Sequence, residues 1–472
     1  MRPLLFPTAT FAVFFTFVFG AAWALRGWAD SRKAFLLAAS YLFYGWWDWR
    51  FCFLLAFASL VAWAAGLALG SDGQKHRHRL ILWACVGMLL VILGFFKYCG
   101  FFLESLQDLL FAFGLQRDLP LLEIILPVGI SFFTFQAISY IVDVHRGEIK
   151  ARRSPLDVMV YISFFPQLVA GPIVRAADFL PQLERKPQLT RAMVGFGLTL
   201  CALGLFKKMV VANYLAVDLV DPVFLDPTAF SSVVVLLGVY GYAVQIYCDF
   251  SGYSDIAIGT AALLGYRFKE NFNQPYRAES LQDFWRRWHM SLSQWLRDYL
   301  YIPLGGSRLG TWKTYRNLLA TMVLGGLWHG AAWNFVIWGM IHGGWLALER
   351  VLVGNQAHAA GRLRRLVGWF VTFHVVCAAW VFFRATDMLI VSDWYSVLFS
   401  GTAGLEGLTW LCLILIVGTL AMQFSPPRLE TRIGALADRS PLWLVLTCFA
   451  LVVLTTVLVS PPGTAPFIYF QF

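Results

Sequence analysis

Histidine is the side chain whose unperturbed pKa lets it exchange a proton near neutral pH. Two histidines, His289 and His329, lie in the stretch 280–333, with five arginines and a glycine-rich corner. An ionisable group in an apolar wall is costly unless it has a partner or a task, and the wall here is apolar. Residues 318–348 carry no Asp, Glu, Lys or Arg. That run is too long for one upright span, and Gly325, Gly326, Gly330, Gly339, Gly343 and Gly344 interrupt it. The pattern predicts a short helix to about Gly330, a break, and a second span. At a rise of about 1.5 Å per residue, His329 lies about 16 Å beyond Leu318. That is near the middle of a hydrocarbon core about 30 Å thick. Irregular backbone at that depth is tolerated only inside protein or beside a water-filled cavity. His329 is therefore expected to line a tunnel or funnel; a buried histidine packed between helices is the other reading.

His289 falls on a different pattern. Trp285, Trp288, His289, Leu292, Trp295, Leu296 and Tyr299 recur at the helical period, with Arg287, Ser291, Gln294 and Asp298 opposite. Ser280 with Asp283 three residues on resembles a capping box. The spacing predicts one amphipathic helix over 281–300 at a membrane interface, with His289 facing the protein. Pro303, Gly305 and Gly306 then turn the chain. Gly305, Gly306 and Ser307 could form a phosphate-binding nest or a plain turn. In the run CDFSGYSD, Asp249 and Asp255 stand near the expected end of an apolar span. They join Asn271, Asn273 and Trp328 as candidates to line the tunnel; capping of a helix end is the alternative for the two carboxylates. His342 follows His329 by 13 residues, which puts it on another helical face, and His76 and His78 belong to a basic loop.

The elements that must carry these residues are membrane spans. Of 472 residues, 59% are hydrophobic and 14% charged, where soluble chains carry about 25% charged residues. About eleven spans are expected, at 4–25, 34–47, 51–69, 79–96, 121–142, 193–216, 229–248, 334–349, 366–383, 406–424 and 441–459. The first reads as a retained helix and not as a cleaved signal peptide. The segment 99–114, with Glu104 and Asp108, reads as interfacial, and 156–174, with Pro166, Gly171 and Pro172, as re-entrant. One integral all-α domain over 1–472 is the simplest organisation, with its motif-bearing core at about 121–350. Positive charge sets orientation: Arg26, Arg32, Lys33, Lys75, Arg77, Arg79, Arg146, Lys150, Arg152 and Arg153 share one side if 99–114 does not cross. That side is expected to be cytoplasmic, with the N-terminus outside. Lys207 and Lys208, inside an apolar run, fit no part of this scheme. The net charge of +10 follows from this topology, so nucleic-acid binding is not indicated. Eight scattered cysteines without a CxxC pair indicate neither a disulfide framework nor a metal site. There is no HExxH and no GxxxxGK[ST], and GGSRLG misses the GxSxG elbow because Leu309 stands where glycine is required.

The runs FWRRWHMSLSQWLRDYLYIPLGGSR, GGLWHGAAW, CDFSGYSDIAIG, ENFNQPY, PVGISFFTFQAISYIVDVHRG, ISFFPQLVAGPIVR and FIYFQF resemble the membrane-bound O-acyltransferase superfamily. They are most similar to its bacterial alginate O-acetyltransferase branch, which is related to the D-alanyl transfer protein of teichoic acid synthesis. The likeness covers about 41–472, and the two family histidines fall on His289 and His329. It implies a bacterial inner-membrane enzyme that takes an acetyl group from a cytoplasmic acyl thioester, acetyl-CoA by expectation, for O-acetylation of an exported polysaccharide such as alginate. By this resemblance His329 is the catalytic residue, assigned here as general base toward the acceptor hydroxyl. His289 either orients the donor or stabilises the oxyanion, with a packing histidine as the plain alternative. Arg286, Arg287, Arg297 and Arg308, with Lys313 and Arg316, would form a basic rim that concentrates a polyanionic donor; ordinary positive-inside charge is the alternative. No permanently bound cofactor and no metal are implied. The branch works with an extracytoplasmic acetyltransferase partner, and the only other surroundings expected are membrane lipid. Transfer of D-alanine or another acyl group, and a transporter or channel with a histidine proton relay, stand as alternatives.

Overall fold

A computed structural model describes residues 4, 6–71, 74–115, 124–353, 361–426 and 429–461. All regular structure among them is helical. Six helices are long and apolar enough to cross a membrane: Phe51–Leu69, Lys75–Ala112, Arg191–Leu225, Ser232–Leu263, Arg362–Arg384 and Leu442–Val459. Ala9–Ala24, Met388–Ser400 and Trp410–Met422 are shorter apolar helices. The protein is a multi-pass helical membrane protein, as its composition predicts, although the expected span boundaries shift in several places. The eight cysteines are all free thiols. The FIYFQF run and residues 121–123 of one expected span lie outside the described residues.

Met1–Met193 and Thr260–Lys269 make one compact unit, and Val194–Gly259 with Glu270–Phe472 make the other. In the first unit the expected interfacial segment 99–114 is not a separate element. It continues the 38-residue helix Lys75–Ala112, which is about 57 Å long at 1.5 Å per residue and so outreaches a hydrocarbon core of about 30 Å. Glu104 and Asp108 are exposed along its far end. The span expected at 121–142 is the helix Ile130–Arg146, entered through Gly129 at φ 76. A Cβ on Gly129 would lie 2.6 Å from the Leu168 carbonyl oxygen, so only glycine fits this entry. Residues 156–174 form two short helices, Pro155–Ser163 and Phe165–Leu168. Arg32, expected as a loop charge, is buried in the helix Ala29–Asp48. Its guanidinium donates to Ala22 O at 3.1 Å, Leu264 O at 2.6 Å and the Tyr266 hydroxyl at 2.7 Å, the multi-donor burial that arginine permits. Lys33 beside it pairs with Asp157 at 2.7 Å.

The second unit is built on two close-packed helix pairs. The helix Arg191–Leu225 and the long helix Ser232–Leu263 meet along glycines. A Cβ on Gly204 would lie 2.5 Å from Gly252 O, and one on Gly259 2.6 Å from Gly197 O. Small residues let helix backbones approach this closely. The long helix runs 15 residues past the expected end at 248, so Asp249 and Asp255 lie within it and cap nothing.

The second pair is Thr311–His329 with its return helix Trp333–Val353. The predicted break is present at 330–332, where Gly330 is extended at φ −157, ψ 152. The other glycines were expected to interrupt the run and do not. Gly325, Gly326, Gly339, Gly343 and Gly344 are all helical, and several form the seam: a Cβ on Gly339 would lie 2.5 Å from Met322 O, and one on Gly343 2.8 Å from Leu319 Cα. This hairpin fixes His329, the last residue of the first helix, against side chains of the second.

Candidate active site

The helix expected over 281–300 is three pieces: Leu281–Trp285, Met290–Leu296, and a wider π-turn over Arg297–Tyr301. The start is as predicted, since Ser280 Oγ accepts from Asp283 N at 3.1 Å. The break has a clear cause. A distant loop takes the backbone groups that a helix would use: Met290 N donates to Asn271 O and Asn273 N donates to Arg287 O, both at 2.9 Å. Between these bonds His289 adopts left-handed backbone, φ 41 and ψ 55. A non-glycine residue there is strained by about 1–3 kcal/mol, and such outliers cluster at functional sites. The apolar stripe is mostly right about burial: Trp288, His289, Leu292, Trp295 and Leu296 are buried, and Trp285 and Tyr299 are half-buried.

Asn271 organises this turn. Its Oδ1 accepts from Ser291 N at 3.1 Å and Ser291 Oγ at 2.9 Å, and its Nδ2 donates to Ser254 Oγ at 3.2 Å. A backbone N–H can only donate, so the Ser291 bond identifies Oδ1 as the oxygen. His289 Nδ1 lies 3.3 Å from that oxygen and therefore carries the ring proton. The lone pair is then on Nε2, which is buried without a hydrogen-bond partner among the described residues. The ring packs edge-on to Phe250 at 4.6 Å and near Trp328 at 5.9 Å. His289 lies between spans, and burial pushes its imidazole down from 6.5 to about 3. It is neutral at physiological pH.

His329 meets three aromatic rings edge-on: Trp328 at 5.1 Å, Trp338 at 5.1 Å and Phe383 at 5.2 Å. Trp328 thus touches both family histidines, which joins two separately predicted residues in one aromatic enclosure. His342 belongs to the same enclosure, and the sequence reading missed it. Its ring lies 4.5 Å from Trp338, and its Nδ1 accepts from Trp285 Nε1 at 3.3 Å. Helical phase counted from His329 does not carry over the break at Gly330. The usable signal was Trp338, four residues earlier on the same helix.

Other candidates fall elsewhere. Asp249 forms a fully buried ion pair with Lys208, and Asp255 pairs with Lys207 at 2.7 Å. These pairs account for the two lysines that fitted no topological scheme. The helix changes to π geometry over Lys207–Ala212, where it lies beside them. Asn273 contributes its backbone, and its side chain is exposed. Arg286, Arg297 and Arg308 are exposed, whereas Arg287 is held by Asp283 at 2.9 Å and Arg297 by Asp298 at 2.7 Å. Gly305 N and Gly306 N donate to Ile302 O and Tyr301 O, so this corner is a plain turn and not an anion nest. Among the described residues no group of three or more His, Cys, Asp or Glu could hold a metal ion.

Residues 148–392, which include His289, His329 and His342, match the model of the membrane-bound O-acyltransferase family. The chain belongs to this family. It is 40% identical to the probable alginate O-acetylase AlgI of Pseudomonas putida, over 88% of this chain and 90% of that one. Against the protein of the same name from Pseudomonas aeruginosa it is 44% identical, over 76% of this chain and 68% of that one. More distantly, it is 27% identical to the teichoic acid D-alanyltransferase of Bacillus subtilis, over 61% of this chain and 78% of that one. This membrane-bound O-acyltransferase is therefore an enzyme, and its chemistry is acyl transfer.

Proposed function

We propose that the protein moves an acetyl group from a cytoplasmic acyl thioester, acetyl-CoA, to an exported polysaccharide such as alginate at the bacterial inner membrane. The observation that carries this reading is the shared enclosure: His289 and His329 both lie against Trp328, buried among aromatic rings. Exclusion of water strengthens every electrostatic interaction in such a site. His329 acts as general base. It takes the proton of the acceptor hydroxyl as that oxygen attacks the thioester carbonyl carbon. The tetrahedral oxyanion collapses, the C–S bond breaks, and the departing thiolate takes the proton back from the imidazolium. The donor enters from the cytoplasmic side, where Arg286, Arg287, Arg297 and Arg308 would supply the positive charge that attracts it. A separate extracytoplasmic acetyltransferase completes delivery to the sugar. The 40–44% identity to probable alginate O-acetylases supports acetyl as the group and alginate as the polymer class.

The test is covalent turnover. Purified protein in lipid nanodiscs, together with its extracytoplasmic acetyltransferase partner, is given acetyl-CoA labelled in the acetyl group, and release of free thiol is followed together with label bound to protein or to added alginate oligosaccharide. Thiol release matched by ester formation supports the reading. A proton flux across vesicles with no thioester consumption would make the protein a transporter.

A further inference from the structure

The acyl-transfer reading leaves the task of His289 open between holding a substrate group and stabilising an oxyanion. These demand opposite states of the ring nitrogen presented to substrate: an oxyanion needs an N–H there, whereas a substrate N–H or O–H needs a lone pair. From the hydrogen bonds around Asn271 we infer that Asn271 is a positioning residue that fixes His289 as a hydrogen-bond acceptor for a substrate N–H or O–H through Nε2. The inference rests on the acyl-transfer reading for the identity of the substrates and on geometry for the role.

Three observations support it. Asn271 cannot turn its amide over without loss, because Oδ1 is held by Ser291 N and Oγ while Nδ2 is held by Ser254 Oγ. The oxygen therefore stays toward His289 Nδ1, and the partner of one ring nitrogen sets the state of the other. The same residue, through its carbonyl oxygen, takes the Met290 N–H and so helps hold His289 in left-handed backbone, where the Nε2 edge finds no partner among the described residues. The groups packed on the ring are apolar or neutral: Phe250, Phe272 and Trp328. Titratable side chains one ring further out through these contacts include His329, across Trp328, and Tyr247, across Phe272. Burial is the cause of the low His289 pKa. A nitrogen this weakly basic is a poor proton acceptor, yet it still accepts a hydrogen bond. That division of labour leaves the proton to His329.

The experiment uses the full-length protein in nanodiscs with acetyl-CoA, an alginate oligosaccharide and the extracytoplasmic acetyltransferase that completes delivery, and measures KM and kcat from pH 5 to 9. Asn271→Ala should raise one substrate's KM by about 10-fold to 100-fold, the size expected when a buried polar partner is left unsatisfied. His289→Ala should raise the same KM, and the double variant should be no worse than His289→Ala alone, because one residue acts through the other. Asn271→Asp keeps an acceptor at Oδ1 and should recover near-normal KM at pH 9. Its KM should then rise as pH falls, because a carboxylate beside Nδ1 favours the imidazolium, while the KM of the unaltered protein shows no such rise; the acid limb in kcat from protonation of His329 is common to both. The inference is overturned if Asn271→Ala leaves KM unchanged while His289→Ala raises it, or if the two effects multiply. It is equally overturned if Asn271→Asp shows no recovery at pH 9 while monodisperse. Should Asn271→Ala fail to fold, the pH profile of Asn271→Asp decides alone. Absence of any acetyl-CoA consumption by the unaltered protein would instead overturn the acyl-transfer reading, which separates the two failures.

Discussion

Gly339 sits next to Trp338, the ring that contacts His329 and His342, so Gly339→Ala tests whether the hairpin seam sets the site. The added Cβ would lie 2.5 Å from Met322 O, 2.7 Å from Val323 Cα and 3.0 Å from Met322 C. All three are backbone atoms, so no side-chain rotation relieves the overlap. Carbon contacts relax to about 3.5 Å or more, which requires the helices to separate by about 1 Å. Overpacking of this kind costs about 1–3 kcal/mol, which outweighs the gain of at most about 1 kcal/mol from replacing a helical glycine by alanine. A displacement of about 1 Å at a reacting group costs about 10²-fold in rate. The expected outcome is a folded but less stable protein with acetyl transfer lowered about 100-fold. Gly344→Ala is the control on the same helix: it is exposed, and its Cβ would meet nothing within 4 Å. It should be fully active and at least as stable. Polysaccharide acetyl content in cells, paired with thermal unfolding of the detergent-extracted protein, reads both quantities. Equal activity of Gly339→Ala and Gly344→Ala would refute the argument that this seam positions His329.

The buried Lys208–Asp249 pair should behave as a unit: Asp249→Asn alone should destabilise by about 3–5 kcal/mol, and the apolar double replacement Lys208→Met with Asp249→Leu should recover most of that, as read by thermal unfolding. Arg286 is exposed and Arg287 is tied to Asp283, so Arg286→Ala should raise KM for acetyl-CoA by a factor that shrinks with added salt, with kcat nearly unchanged. A salt-independent loss in kcat would place Arg286 in the chemical step instead. His289 is neutral in the fold down to a pKa of about 3, whereas an unfolded histidine binds a proton below about 6.5. Stability present at pH 8 is therefore lost on acidification, by about 2 kcal/mol from this residue at pH 5. His289→Asn, which also tolerates left-handed backbone, should lose correspondingly less between those pH values in thermal unfolding.

Local patterns made part of this site legible. The aromatic stripe around His289 marked five buried side chains and two half-buried ones, Trp285 and Tyr299, because burial largely follows apolar spacing whichever backbone carries it. It missed the break because Met290 N is taken by Asn271, 19 positions earlier in the chain, and periodicity reports only on neighbours. The hairpin at Gly330 was readable from a run too long to span once. The seam glycines were misread as breaks, since glycine can end a helix or let two helices touch and composition does not distinguish these uses. Lys207 and Lys208 were opaque for the same reason as the break: Asp255 lies 48 residues from its partner, and the ion pair exists only once the glycine seam brings the helices together. The family motifs pointed to His289 and His329 directly, and Trp328 was a candidate beside them, but its contact with both histidines and the addition of His342 emerge only from the packing.

Replacement of His329 tests the central claim most directly. His329→Ala should lower acetyl transfer by about 10² to 10⁴, the usual contribution of a positioned general base. His329→Gln should fail as well, because glutamine keeps polarity and approximate size but accepts no proton near pH 7. Acetyl transfer from acetyl-CoA is measured for both variants beside their size-exclusion profiles, and the account predicts two monodisperse proteins that are both inactive. Near-normal transfer by a monodisperse His329→Gln would contradict it and show that His329 serves the packing of the enclosure and not the chemistry.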